Sequence, residues 1–228
     1  MTVKLISYSQ PSDIFIDYGQ DDREHLNNLE KLVAFCARVS NPDNQHNDKT
    51  AEKLLKYLIK HKHWSPFEMV SACLEIGTTR DIARQILRHR SFSFQEYSQR
   101  YADPTEDLNF RMREARLQDN KNRQNSIEVN NANIQANWKM RQSMVMQEVF
   151  EAYNWAINAG IAKEQARAVL PEGNTKSKLY MNGTIRSWIH YIGLRSGPET
   201  QKEHREIAVE CANAIEPVFP MIIEFISE

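Results

Sequence analysis

Residues 69–87 read MVSACLEIGTTRDIARQIL, and the fold class turns on a change of period halfway along this stretch. Up to Ile76 the pattern alternates: Val70, Ala72, Leu74 and Ile76 fall on one side, Ser71, Cys73 and Glu75 on the other. That is the signature of a half-buried strand over 69–76. Beyond Gly77 the apolar spacing turns helical, with Ile82 and Ile86, then Ala83 and Leu87, each four apart and directed inward. Thr78 or Thr79 stands at the capping position, and Asp81 sits in the first turn, where the helix dipole favours an anion.

Upstream, the alternation of VKLISY predicts a first strand over 3–8. Asp22 is placed to cap a helix whose stripe is Leu26, Leu29, Val33, Cys36 and Val39, ending at the loop ARVSNPDN. A second helix over 49–61 carries Leu54, Leu55, Leu58 and Ile59 on one face, and HKHWSPF breaks it at Pro66. Downstream, residues 103–135 are polar and weakly periodic, a surface excursion leading into a long helix over 130–159 that Gly160 stops. A short helix runs up to Pro171, another spans 182–195, and a last amphipathic helix begins at Pro198 and is interrupted by Pro217 and Pro220. These elements predict an α+β fold, mainly helical with a small antiparallel sheet, in a single domain over residues 1–228.

Composition narrows the function. The formal net charge is −1, without the basic surplus of a nonspecific nucleic-acid binder. A mean hydropathy of −0.64 is polar for a lone globule, and long polar helices or burial between subunits reconcile it with a stable fold. Cys36, Cys73 and Cys211 form no CxxC pair and fall on apolar stretches, as small buried hydrophobes do. No apolar run reaches the roughly 18 residues of a membrane span, and the first residues lack a signal-peptide pattern. The expectation is a soluble, cytoplasmic protein with no membrane partner.

The chemistry concentrates in residues 80–100, where Arg80, Arg84, Arg88, Arg90 and Arg100 are mixed with Gln85, His89, Glu96, Ser98 and Gln99. Arg80, Arg84 and Arg88 recur every fourth residue and are expected along one side of a helix, with Gln85, Arg88 and His89 sharing a face. Planar donor forks beside neutral acceptors suit a phosphate or the edge of a heteroaromatic ring. Glu96, Ser98 and Arg100 alternate, so an extended backbone would point a carboxylate, a hydroxyl and a guanidinium the same way, a row suited to gripping a hydroxylated, phosphorylated molecule such as a nucleotide. Ser98 lacks the elbow of a serine nucleophile. A helical module that lays the arginine stripe on nucleic-acid phosphates is the rival from another class.

The run Arg88-His89-Arg90-x-x-Ser93-x-x-x-x-Ser98-x-Arg100 resembles the RHRxxSxxxxSxR signature of the flavin-dependent thymidylate synthase family. CARVSNP at 36–42, HWSPFE at 63–68, the Ala166-Arg167-x-x-Leu170-Pro171 segment and NGTIRSWIHYIGLR at 182–195 resemble further segments of that family. The resemblance implies reductive methylation of dUMP to dTMP, with 5,10-methylenetetrahydrofolate as carbon donor, NADPH as reductant and FAD as hydride carrier. It assigns FAD contacts to Ser65, Arg88, His89, Arg90, Thr184, Ile185, Arg186 and His190. It assigns dUMP contacts to Gln85, Ile86, Leu87, Arg88, Glu96, Tyr97, Ser98, Gln99, Arg100, Arg167 and Arg195, with backbone groups serving at the apolar positions. Arg195 takes the catalytic role of favouring loss of the uracil N3 proton. The family also implies a homotetramer with active sites between subunits. A flavin-binding relative without synthase activity is a further alternative.

By spacing, Asn182, Arg186 and His190 are expected on one helical face aimed at one partner. His61-x-His63 lacks a further ligand cluster, so no metal is expected, and His63 is expected as a flavin neighbour. Trp138, Met140, Met144 and Met146 are expected to pack in the core or between subunits, and FRMREARLQDNKNRQNS to be solvated or intersubunit.

Overall fold

The computed structural model describes residues 1–12, 28–107 and 109–227. Four antiparallel strands form the central sheet in the order β1-β2-β6-β3: β1 Thr2–Tyr8, β2 Ser71–Thr79, β3 Ser93–Glu96 and β6 Lys176–Thr184. The alternation in β2 is realised as anticipated. Ala72, Leu74 and Ile76 are buried, and Leu74 and Ile76 lie opposite the buried Met181 and Leu179 of β6. Glu75 and Tyr180 face the other way, where the tyrosine hydroxyl donates to the Glu75 carboxylate at 2.9 Å.

Helices cover the apolar side. α1 (Leu29–Ala37) and α2 (Ala51–Lys60) pack on each other, and the 3-10 turn Ser65–Glu68 follows. α3 (Arg80–Ile86) grows directly out of β2, and α4 (Pro104–Asp107) is a single turn. The strands β4 (Arg116–Gln118) and β5 (Ser126–Glu128) pair as a separate ribbon before α5 (Ala132–Asn158). The one-turn α6 (Lys163–Ala166) precedes β6, then come α7 (Ile185–Arg195) and α8 (Lys202–Ile215), the latter packed on β1, β2 and α7. No helix among the described residues is long and apolar enough to cross a membrane.

Several boundaries follow their local chemistry. Asn131 caps α5 by accepting from the amides of Asn133 and Ile134, and Gly160 takes the left-handed backbone (φ 80°) just past its end. Asn28 caps α1 by accepting from the Glu30 amide, whereas Asp22 and Leu26 lie outside the described residues. Thr79 is the N-cap of α3, but its hydroxyl donates to the Asp81 carboxylate instead of accepting from a helix amide.

Four expectations are corrected. Residues 182–195 are not one helix: β6 runs through Thr184, which caps α7 by accepting from the Ser187 amide. Asn182 therefore lies on a strand opposite Cys73 and Ser93, and only Arg186 and His190 share a helical face. The reason is visible in KSKLYMNGT, whose Ser177, Leu179, Met181 and Gly183 are buried while alternate residues turn outward. Second, β3 stops at Glu96 and the chain turns at Gln99 and Arg100, so Glu96, Ser98 and Arg100 are not a parallel row. Third, α3 ends at Ile86, which leaves Arg88 in the following turn and off the stripe of Arg80 and Arg84. Fourth, Val39 is 71% exposed beyond the end of α1.

Candidate active site

The buried face of α7 gathers three separate segments. Trp188 is fully buried, donates from its indole nitrogen to the Ala72 carbonyl at 3.0 Å, and meets the Phe92 ring with centroids 4.8 Å apart. Phe92 fits because position 183 is glycine: a Cβ there would stand 2.4 Å from the phenyl ring. Ser187 Oγ donates to the Ser91 carbonyl at 3.1 Å. Together these contacts clamp the turn that carries Arg88, His89 and Arg90 against α7. On another side of the helix His190 meets Trp64 edge-to-face with centroids 4.7 Å apart, and Arg186 pairs with Glu68. Those two contacts bring in the turn that bears Ser65.

Electrostatics here are set by one pair. Arg195 Nε donates to His89 Nε2 at 2.8 Å. Burial, then the charges of Arg195 and Arg88, hold the imidazole at a pKa of about 4. At neutral pH the ring is uncharged, Nε2 accepts, and the proton sits on Nδ1, which has no partner among the described residues. Arg88 and Arg90 are exposed, and neither guanidinium has a hydrogen bond or ion pair among the described residues. Burial, then Arg186, also lowers the pKa of His190.

A second cluster forms at the end of β3. Glu96 accepts from Ser177 Oγ at 2.8 Å and pairs with Arg84 at 3.1 Å and Arg80 at 3.9 Å. Glu172 lies 3.2 Å from Arg80 and 3.9 Å from Arg84. Arg100 and Arg167, far apart in sequence, meet at Glu164: Arg100 Nε stands 3.5 Å from its carboxylate and Arg167 Nε donates to its carbonyl at 3.3 Å. Ser98 Oγ accepts from the Arg100 amide. Tyr97 continues the ladder by donating its amide to the Lys178 carbonyl, and Gln99 is buried with its amide nitrogen unsatisfied. Among the described residues, no hydrogen bond or ion pair joins Ser98, Gln99, Arg100 or Arg167 to Gln85, His89 or Arg195.

Two sequence-assigned side chains stand apart. Ile86 and Ile185 are fully buried in the core, so only backbone atoms are left for a ligand, and the Ile185 amide already donates to Val70. Leu87 is half-buried at the C-cap of α3. His61 and His63 pack around Tyr57, at 4.3 and 6.4 Å between ring centroids.

Sequence reasoning missed the residues behind Gln85. Its amide bonds Gln201 and His204; His204 reaches Tyr191, and Gln201 reaches Glu203. Arg113 and Arg116, from the segment expected to be solvated or intersubunit, bind Glu203 at 3.0 and 2.7 Å within the chain. Arg113 also bonds Asp81 at 2.7 Å. A signal for His204 existed: with Ile207, Ala208, Cys211 and Ile215 it occupies the apolar stripe of α8, all five buried.

The family model for thymidylate synthase complementing proteins matches residues 23–221. A probable flavin-dependent thymidylate synthase of Paramecium bursaria Chlorella virus 1 is 48% identical over 97% of each chain. A flavin-dependent thymidylate synthase of Synechocystis is 46% identical over the same shares. Among solved structures, a UMP/dUMP methylase from Streptomyces cacaoi superposes with a TM-score of 0.77 at 24% identity, covering 98% of this chain and 93% of that one, which establishes the shared fold. With most of its length matched by the family model and nearly all of it by relatives sharing almost half their residues, this chain belongs to the thymidylate synthase complementing protein family, the flavin-dependent thymidylate synthases.

Proposed function

We propose that the protein converts dUMP to dTMP by reductive methylation, with 5,10-methylenetetrahydrofolate as carbon donor, NADPH as reductant and FAD as cofactor. The observation that carries the reading is the uncharged His89 held by Arg195 beside Arg88 and Arg90, whose guanidinium groups are unpartnered among the described residues. The donor set suits FAD: two free guanidinium groups for negative charge, the His89 Nδ1 proton for a ring acceptor, and hydroxyls at Ser65 and Thr184. Bound FAD supplies hydride chemistry. The Arg88–Arg90 turn, the Ser65 turn and the start of α7 would hold it.

Arg195 uses Nε on His89 and keeps both Nη groups unpartnered among the described residues, available to a pyrimidine acceptor. It acts electrostatically, since its own proton is not labile near neutrality. Burial raises the thiol pKa of Cys36, Cys73 and Cys211, so none is a ready thiolate, in keeping with a route that uses no cysteine nucleophile. All three are free cysteines, which supports a reducing, cytoplasmic setting. The rival nucleic-acid reading loses its basis where Glu96 and Glu172 neutralise the Arg80–Arg84 stripe.

One feature supports a homotetramer with shared active sites: α5 leaves Trp138, Met144, Phe150 and Trp155 exposed, more apolar surface than a lone helix keeps in water. The test is the visible spectrum of the purified protein. Flavin absorbance bleached by NADPH and restored by dUMP plus methylenetetrahydrofolate, with dTMP formed, is the expected result. A protein that binds no flavin refutes the reading; a flavoprotein that forms no dTMP is the relative without synthase activity.

A further inference from the structure

We propose that Glu203 and His204 are positioning residues that lock the Gln85 amide so that it faces a bound nucleotide as a hydrogen-bond donor. The proposal rests on the reading of Gln85 as a dUMP contact. Its starting point is the Glu203 carboxylate, 5% exposed and gripped by Arg116 at 2.7 and 2.8 Å and by Arg113 at 3.0 Å. Burial alone would push its pKa up, but the Arg116 bond, backbone and Gln201 donors and the Arg113 charge hold it at about 2. Glu203 is therefore an ionised group that only accepts.

Each link then has one possible direction. Gln201 stands 2.9 Å from Glu203, so it must present its NH2 there and turn its carbonyl to Gln85. That carbonyl only accepts, so Gln85 donates from Nε2 at 2.8 Å and turns its own Oε1 to His204. His204 Nδ1, 3.2 Å away, must carry the proton. The ring is fully buried, and burial with the nearby Arg195 and His89 holds its pKa at about 3, so it is neutral and Nε2 is bare. Nε2 accepts from the Tyr191 hydroxyl at 3.1 Å, a group that burial keeps protonated.

Ordinarily a glutamine amide flips between donor and acceptor faces, and its orientation has to be inferred from its partners. Here four other residues, Gln201, Glu203, His204 and Tyr191, with an ionised carboxylate at one end, leave one arrangement. One Gln85 hydrogen is used on Gln201 and its oxygen is used on His204. The second Nε2 hydrogen has no acceptor among the described residues, and it selects a carbonyl or phosphoryl oxygen of the ligand. An amide held in this state needs no reorganisation when the nucleotide arrives.

Nitrogen-15 NMR on histidine-labelled protein, without ligand, tests the relay. Protonated Nδ1 and bare Nε2 at His204 are expected; an Nε2–H tautomer overturns it. Kinetics test the consequence. His204→Leu should raise the KM for dUMP about tenfold, the loss of one oriented hydrogen bond, with kcat changed much less. His204→Asn places an amide nitrogen where Nδ1 stood and should restore KM, whereas equal behaviour of the two variants overturns a positioning role. Should the leucine variant not fold, Gln201→Leu cuts the same relay at a half-buried position, and an unchanged KM there also counts against it. If the tautomer is as inferred but the dUMP KM ignores Gln85→Leu, the nucleotide contact is overturned while the relay stands.

Discussion

Arg195 and His89 show how much one hydrogen bond decides at the scale of a residue. Donation from Arg195 Nε at 2.8 Å fixes the histidine tautomer, and burial, with the charges of Arg195 and Arg88, keeps the ring neutral. In return the imidazole supplies an acceptor that orients the guanidinium. Arg195→Ala is expected to retain FAD, read by absorbance, while single-turnover dTMP formation falls by about 10²–10³-fold, the usual effect of losing one preorganised electrostatic donor. Unchanged turnover would remove Arg195 from the reaction. The motif made this residue legible. Its partner geometry was not, because the spacing of Arg195 and His89 in sequence carries no information about distance.

Elements were legible where period and partner agreed. β2 alternates cleanly and is buried on one face, so pattern and structure coincide. β6 alternates too, yet its NGT–IRSW junction reads equally as a helix start, and only pairing with β2 and β3 decides that the strand continues to Thr184. β3 has four residues, too few to declare a period, and exists because an edge of β6 was available. The junction of β6 and α7 also packs closely, with Gly183 against the Phe92 ring. Gly183→Ala forces a methyl onto the Phe92 ring and is expected to destabilise by about 1–3 kcal/mol, seen as a lower Tm with weaker FAD retention. An unchanged Tm would show that Phe92 relaxes without consequence.

For the whole molecule, buried ionisable groups set the response to acid. His89 and His204 have folded pKa values of about 4 and about 3, below the ordinary 6.5, so below pH 6.5 the unfolded chain takes up protons that the fold refuses. Stability therefore falls as pH drops through the window from 6.5 towards 3, by up to about 1.4 kcal/mol per pH unit for each histidine. Glu203 acts in the same direction lower down: its stabilisation is complete above 4.5 and is lost as pH falls towards 2. Thermal unfolding across pH 7 to 4 should show Tm declining from about pH 6.5, the histidine range, and His204→Asn should flatten the slope between 6.5 and 4. A flat wild-type profile over that range would contradict the neutral state of both rings.

The sequence by itself determined the α+β class, the long α5 with its stop at Gly160, the family motif and most of the candidate ligand residues. These depend on periodicity, capping chemistry and fixed spacings along the chain, all local properties. Only the tertiary structure decided which charges remain free. It neutralised Arg80 and Arg84 with Glu96 and Glu172, left Arg88 and Arg90 open, and carried Arg113 and Arg116 inward to Glu203. The partners of a charge are set by which distant segments pack together, and for Gln85 that means a helix more than a hundred residues away, whose buried histidine and glutamate fix which way its amide points.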